Sequence, residues 1–300
     1  MPDVKKQLAI IIFLSLLAEF AVLAETIPGK QDYRYQWPVS IFPVEQPYGN
    51  VKNIIETAYT MADDNGNREF KYELILRYSE DGLLMAEEYY NKDGSPGNSI
   101  EYSYEDGLLV LKTQRHPEVI NPDREIFTHM PDGRIMMAEK IFSTGNYGWR
   151  FQNSYDNNGR IILTSKFDRY WKWKLVYSRM FGYNERGLLS STEGFGMESE
   201  LLWRDEYFYD DEDRLVKSVK YNPQDELVVS IFNEYDERGN YTRREFFDAT
   251  DSSFAVYSYG WDYDDMGNWI AKVIGREVEG SRSAYLVPDS MISRVIEYYE

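Results

Sequence analysis

The chain has 300 residues, with 33 Lys+Arg against 51 Asp+Glu for a net charge of −18, and it contains no cysteine. That charge repels phosphate backbones and anionic lipid surfaces, which argues against a nucleic-acid partner, and the missing thiols exclude disulfides, cysteine nucleophiles and Cys-containing zinc sites. Only His116 and His129 offer imidazole chemistry, whereas Tyr 26 outnumbers Gly 20 and, with Phe 15 and Trp 7, enriches the chain in strand-favouring aromatics.

Residues 1–24 read as a secretory signal peptide. Lys5 and Lys6 make a short basic start, Leu8–Ala18 carries no charge, and Val22 and Ala24 stand at −3 and −1 of a cleavage before Glu25. Glu19 interrupts the apolar run short of the roughly 20 residues that a bilayer span requires. No cysteine follows it, so a lipid-modified lipoprotein is not expected. Cleavage removes Asp3, Lys5, Lys6 and Glu19, two acids and two bases, and leaves the charge at −18. Export to the periplasm, cell surface or medium is the expectation. Residues 25–50 hold four of the eleven prolines and read as an extended lead-in.

From residue 51 onward the chain repeats. Glycines stand at 82, 107, 133, 159, 187, 239 and 267, with Asp213 in the one vacant slot, at intervals of 25 to 28 residues. Four residues before the anchor comes Tyr78, Tyr155, Tyr183, Tyr209, Tyr235 or Tyr263; two exceptions place Tyr104 one position late and His129 in register. Two residues after the anchor the side chain is always large and apolar, from Leu84 and Leu109 to Tyr241 and Trp269. The consensus is Tyr-Asp-x-x-Gly-(Arg/Asn/Leu)-apolar. Asp opening a type I turn can accept its own backbone amides, Gly at the fourth place takes the left-handed conformation, and the tyrosine then faces the apolar residue across a hairpin. Gly66 is expected to turn an initial hairpin over about 51–81. The return turns, such as those at 91–97 and 116–123, vary in sequence and are expected to form a looser, irregular edge.

Period-two segments full of aromatics, Lys166–Ser178 among them, exclude helical solenoids, and the period is too short for a propeller blade. The fold class is therefore all-β: antiparallel hairpin repeats, about eight units, forming an extended, curved or rolled sheet over 51–300. At this period the motif resembles the YD repeats of Rhs-type and teneurin-like proteins, over roughly residues 70–299. The resemblance implies hairpin strips of a cell-surface, carbohydrate-contacting or toxin-enclosing kind. Eight units are expected to be too few to close a shell, and a toxin domain is not expected.

Chemistry is sparse in this pattern. An EF-hand frame fails on Gly267, where Met266 and Val273 fall at ligand positions, and on Gly159, where Ser154 and Ser165 do. No metal or cofactor is expected, since the two histidines lack a third ligand. Paired carboxylates drawn from Glu206, Asp236 and Glu245 would suit an alternative reading as a polysaccharide hydrolase. Trp171 and Trp173 alternate as if on one strand face, with Trp149 one unit earlier, and are the candidate ligand-binding residues. An outer-membrane barrel would also combine strands with a leader, but Lys217 and Lys220 put charge on both faces of one strand. The expected function is a non-enzymatic exported repeat protein that binds a glycan or an envelope protein, without being integral to the membrane after cleavage.

Gly159→Val and Gly239→Val are each expected to destabilise by more than about 1 kcal/mol, because a β-branched residue is strongly disfavoured at positive φ. Asp213→Gly is expected to be neutral or stabilising. Denaturant melts check the set, and equal behaviour of all three would refute the register.

Overall fold

In the computed structural model, which describes residues 47–61, 67–279 and 284–299, each strand runs antiparallel to the next in sequence. The first nine are β1 (Val51–Met61), β2 (Arg68–Tyr78), β3 (Leu84–Tyr90), β4 (Pro96–Glu105), β5 (Leu108–Arg115), β6 (Asp123–His129), β7 (Ile135–Ile141), β8 (Tyr147–Tyr155) and β9 (Ile161–Asp168). The second nine are β10 (Lys174–Tyr183), β11 (Leu189–Phe195), β12 (Leu201–Tyr209), β13 (Leu215–Tyr221), β14 (Leu227–Tyr235), β15 (Tyr241–Asp248), β16 (Ser253–Tyr263), β17 (Trp269–Glu279) and β18 (Ala284–Tyr298). The leader, its cleavage site, the lead-in up to residue 46 and the Gly66 turn lie outside the described residues.

Seven of the eight motif turns form as their spacing demands. In the turn at Asp156 the backbone closes through Asp156 N–H to Arg160 O at 2.9 Å and Gly159 N–H to Asp156 O at 3.1 Å. The Asp156 carboxylate caps the amides of Asn158 and Arg160, and Gly159 sits at φ 82°. The Arg160 amide and guanidinium hold this carboxyl below the usual carboxylate range. Asp213 fills the same slot at φ 62°. Tyr155 pairs with Ile161, Tyr183 with Leu189 and Tyr235 with Tyr241, each across a bulge at the tyrosine. Tyr104 is one place late because its hairpin uses a two-residue loop, with Asp106 at φ 50° and Gly107 at φ 77°.

The sheet does not remain open. β18 pairs with β1, Ile54 opposite Ile296 and Ala58 opposite Ile292, so the ring of eighteen strands closes into a barrel. The expectation of an extended, curved or rolled sheet with too few units to close is corrected here. A bulge bends its strand and raises the local twist. Because one recurs beside every motif tyrosine, the curvature accumulates until the ends meet, which also removes both exposed edges. The return edge also differs from expectation. The turns at Gly94, Gly145, Ser199, Asp225 and Asp251 all make the motif turn's hydrogen bonds with a left-handed residue in the fourth place. Ser and Asp in that place hide the turn from a search for glycine.

Adjacent hairpins are latched by side chains. The hydroxyl of Tyr155 donates to Ile135 O at 2.7 Å, that of Tyr183 to Ile161 O at 2.8 Å, and that of Tyr209 to Leu189 O at 2.8 Å. In each case the acceptor is the apolar residue that ends the preceding motif. The residue after the anchor serves the same contact. Arg134 lies over the Tyr155 ring at 4.6 Å and Arg160 over Tyr183 at 4.5 Å, while Asn240 donates to the Tyr263 hydroxyl at 2.5 Å. That explains why Arg and Asn alternate in the motif.

Register sorts side chains into two faces. Inward point Leu74, Phe127, Ala138, Phe151, Val229, Ile231 and Phe246, all buried, together with buried charges. Lys140 lies 3.2 Å from Asp123 and 3.4 Å from Glu125, and Glu56 accepts from Arg294 at 3.0 Å and from Tyr72 at 3.2 Å. Other inward cations lie over rings, Lys272 at 4.9 Å from Trp261 and Lys220 at 5.0 Å from Trp203. Gly194 is required where it stands, since a Cβ there would meet the Trp203 indole at 2.4 Å. Outward point ion pairs, Arg77–Glu88 at 2.9 Å and Arg150–Glu139 at 2.7 Å across neighbouring strands and Arg243–Glu245 at 2.6 Å along β15.

Tyr155→Phe and Tyr183→Phe are each expected to cost about 1 kcal/mol, the net worth of one buried hydrogen bond. Tyr170→Phe, at a ring 85% exposed, is expected to leave the melt unchanged. Identical midpoints for all three variants would refute the latch.

Candidate functional site

The five residues Arg169–Trp173 join β9 to β10 and break what the sequence presents as continuous alternation. Asp168 organises the turn: its carboxylate accepts the Tyr170 amide at 2.7 Å and its carbonyl accepts the Trp173 amide at 2.9 Å. Arg169 N–H donates to Gly148 O at 3.0 Å and ties the turn to β8. Lys172 and Trp173 both adopt positive φ, 57° and 62°. Elsewhere among the described residues such slots are held by Gly, Asp or Ser. Two bulky residues in the left-handed region cost energy, and strain of this kind concentrates at functional sites. No glycine or proline marks the turn in the sequence, so period-two reading runs straight through it.

The candidate tryptophans therefore separate. Trp149 is inward and buried at 9% exposure, its ring 4.7 Å from Phe151. Trp171 is 50% exposed at the tip of the turn, edge-on to Tyr170 at 5.4 Å. Trp173 is half-buried and leans edge-on against Tyr147 at 5.9 Å, with the Arg150 guanidinium 4.4 Å over its ring. The expected single platform of three indoles does not form, because the turn reverses the chain between Trp171 and Trp173. What forms instead is an aromatic tip of Tyr170, Trp171, Trp173 and Tyr147. The neighbouring turns add exposed Phe142 and Met197. Tyr147 and Tyr170 were not singled out by sequence, and the run Arg-Tyr-Trp-Lys-Trp-Lys was the available signal.

The candidate acids also lie apart. Glu206 and Glu245 sit on the outward face beside Arg204 and Arg243. β12 and β15 have two strands between them, which places their backbones about 14 Å apart at the usual strand spacing, beyond the range of glycosidase carboxylate pairs. Asp236 is at the opposite end, capping Arg238 and Asn240 amides at 2.9 and 2.8 Å. One acid that the sequence did not reveal is Asp205, on the inward face. Burial pushes its carboxyl up, against the pull of Lys220 and Arg179. The residues opposite it on β11 and β13 are Thr192 and Lys220, so it has no partner carboxylate across either ladder. His116 bonds Asn98 at 3.0 Å, and His129 lies at the far end of β6. Among the described residues no three His, Asp or Glu side chains gather as a metal site.

No protein-family model matches the chain, and no curated protein matches it. Solved structures do. A porin-like protein from Bacteroides uniformis aligns over 84% of this chain and 99% of its own, at 10% identity and a TM-score of 0.47. The TcdB2-TccC3-TEV structure aligns over 76% of this chain and 15% of its own, at 12% identity and a TM-score of 0.27. A Photorhabdus luminescens Tc holotoxin pore aligns over 78% and 18%, at 12% identity and a TM-score of 0.21. These similarities are distant, and nothing about the activity of this chain follows from them.

Proposed function

We propose that this chain is an exported, non-enzymatic barrel of YD-like hairpins that binds a glycan at the cell envelope through the aromatic tip Tyr170–Trp173. One observation carries the reading: a strained turn without glycine holds an exposed Trp171 and Tyr170 against water. Large exposed rings fixed by a rigid sheet are favoured binding anchors, and they lose little entropy when a ligand stacks on them. The inferred YD-repeat kinship rests on eight registered hairpins, seven of them closed by the same turn and four of those opened by Asp156, Asp210, Asp236 and Asp264. A water-bathed rather than lipid-embedded barrel is supported by the outward ion pairs in mid-strand, which a bilayer would penalise. The coherent leader supports export.

Binding of mature protein to immobilised envelope glycans tests the site. Trp171→Ala is expected to weaken it at least ~10-fold, as loss of a stacked aromatic anchor does, with the melting temperature nearly unchanged. Trp149→Ala is expected to lower the melting temperature through its inward packing. Normal binding by the Trp171 variant would move the site elsewhere, and hydrolysis abolished by one carboxylate substitution in a folded protein would replace the reading with the enzymatic one. N-terminal sequencing of exported protein is expected to begin at Glu25; an intact Met1 would refute the leader.

A further inference from the structure

The tip is cationic in a strongly acidic chain. Arg169, Lys172 and Lys174 are all exposed, and among the described residues none has a carboxylate within 4.0 Å. Asp168, which precedes the turn, is engaged on the Tyr170 amide, and Glu139 is engaged on Arg150 at 2.9 and 2.7 Å. Arg169 lies 5.8 Å from the Trp173 ring, so a cation flanks the same indole that Arg150 covers. With 33 bases against 51 acids in the whole chain, three unpaired cations within six residues, interleaved with Tyr170, Trp171 and Trp173, form a local reversal of sign. Rings select a sugar face, and unpaired guanidinium and ammonium groups select the anions it carries.

We propose that the glycan is anionic, a polysaccharide whose sugars carry carboxylate or sulfate groups, bound with its rings on Trp171 and Tyr170 and its charges on Arg169, Lys172 and Lys174. This rests on the reading of the tip as a glycan site. Geometry favours a linear chain over an anionic membrane. The same barrel end carries Asp93, Glu198, Glu200, Asp225, Glu226 and Asp251 on its other turns. A flat anionic surface would meet those acids, and a single polysaccharide strand can reach one turn and avoid them. Repulsion of this kind acts over about a Debye length, ~10 Å at 0.1 M salt.

Mature protein titrated with polygalacturonate and with heparin is expected to bind at least one of them. Affinity is expected to fall at least ten-fold between 50 and 500 mM NaCl, as screening predicts (about 3 Å Debye length at 1 M). Carboxyl-reduced polygalacturonate and dextran are expected to bind at least ten-fold more weakly than the anionic polymers. A triple variant Arg169→Gln, Lys172→Asn, Lys174→Gln, checked for an unchanged melt, is expected to lose at least ten-fold in affinity for the anionic polymer. A second variant set, Lys71→Gln with Lys92→Gln elsewhere on the barrel, is expected to bind as the parent does. Neutral polymers bound as tightly as anionic ones, with the triple variant unaffected, would overturn the anionic assignment while leaving the glycan tip standing. Absence of binding to every polymer, charged or neutral, would overturn the glycan reading itself. Binding to phosphatidylglycerol vesicles, but not to polymers, would replace it with membrane docking.

Discussion

Because Gly or Asp closes each motif in the left-handed conformation, the tyrosine before it is drawn into a bulged pair, and the same bend recurs eight times around the sheet. Antiparallel ribbons without such bends stay open and carry two unpaired edges, which are templates for aggregation. Here the accumulated bend brings β18 to β1, about 240 residues away in sequence, and both edges disappear. The sorting of side chains into inward and outward faces presupposes that closure, since only a closed ring has an inside.

An inside lined by alternate residues of eighteen strands is difficult to fill with aliphatic side chains alone. This barrel uses aromatic rings and cations together. A lysine or arginine near an indole or phenol recovers part of its lost hydration from the ring, and those beside Asp123, Glu125 and Glu56 recover it from charge. The Glu56–Arg294 pair lies at the seam, beside a cluster of Ala58, Trp269 and Ile292. Burial, then the charge of Glu56, drives the Tyr72 phenol well above its ordinary range, so it stays a donor to that carboxylate across the physiological span. The tyrosine latches complete this arrangement at the motif end, where each hydroxyl donates to a carbonyl of the preceding hairpin.

Such a shell is rigid and regular, which makes departures from regularity informative. The Arg169–Trp173 turn departs in two ways: it strains two bulky residues, and it concentrates positive charge. The neighbouring hairpins place small or short side chains, Gly, Asp and Ser, in the left-handed position instead. Across the ladder Lys174 faces Asp168.

The sequence by itself determined the hairpin. Tyr, Asp, Gly and the apolar residue occur at a spacing that only one turn geometry satisfies, so strand class, register and the eight motif turns were legible from local stereochemistry. The return turns with Ser199, Asp225 or Asp251 in the left-handed place were not, because those residues are equally at home on exposed strand ends. The Arg169–Trp173 turn was hidden for the opposite reason: its aromatics continue a period-two pattern across a reversal. Closure, the inward or outward facing of each charge, and the separation of Trp149 from Trp171 were decided only in the tertiary structure. Each depends on adding small bends over the whole ring, and no single motif contains that sum.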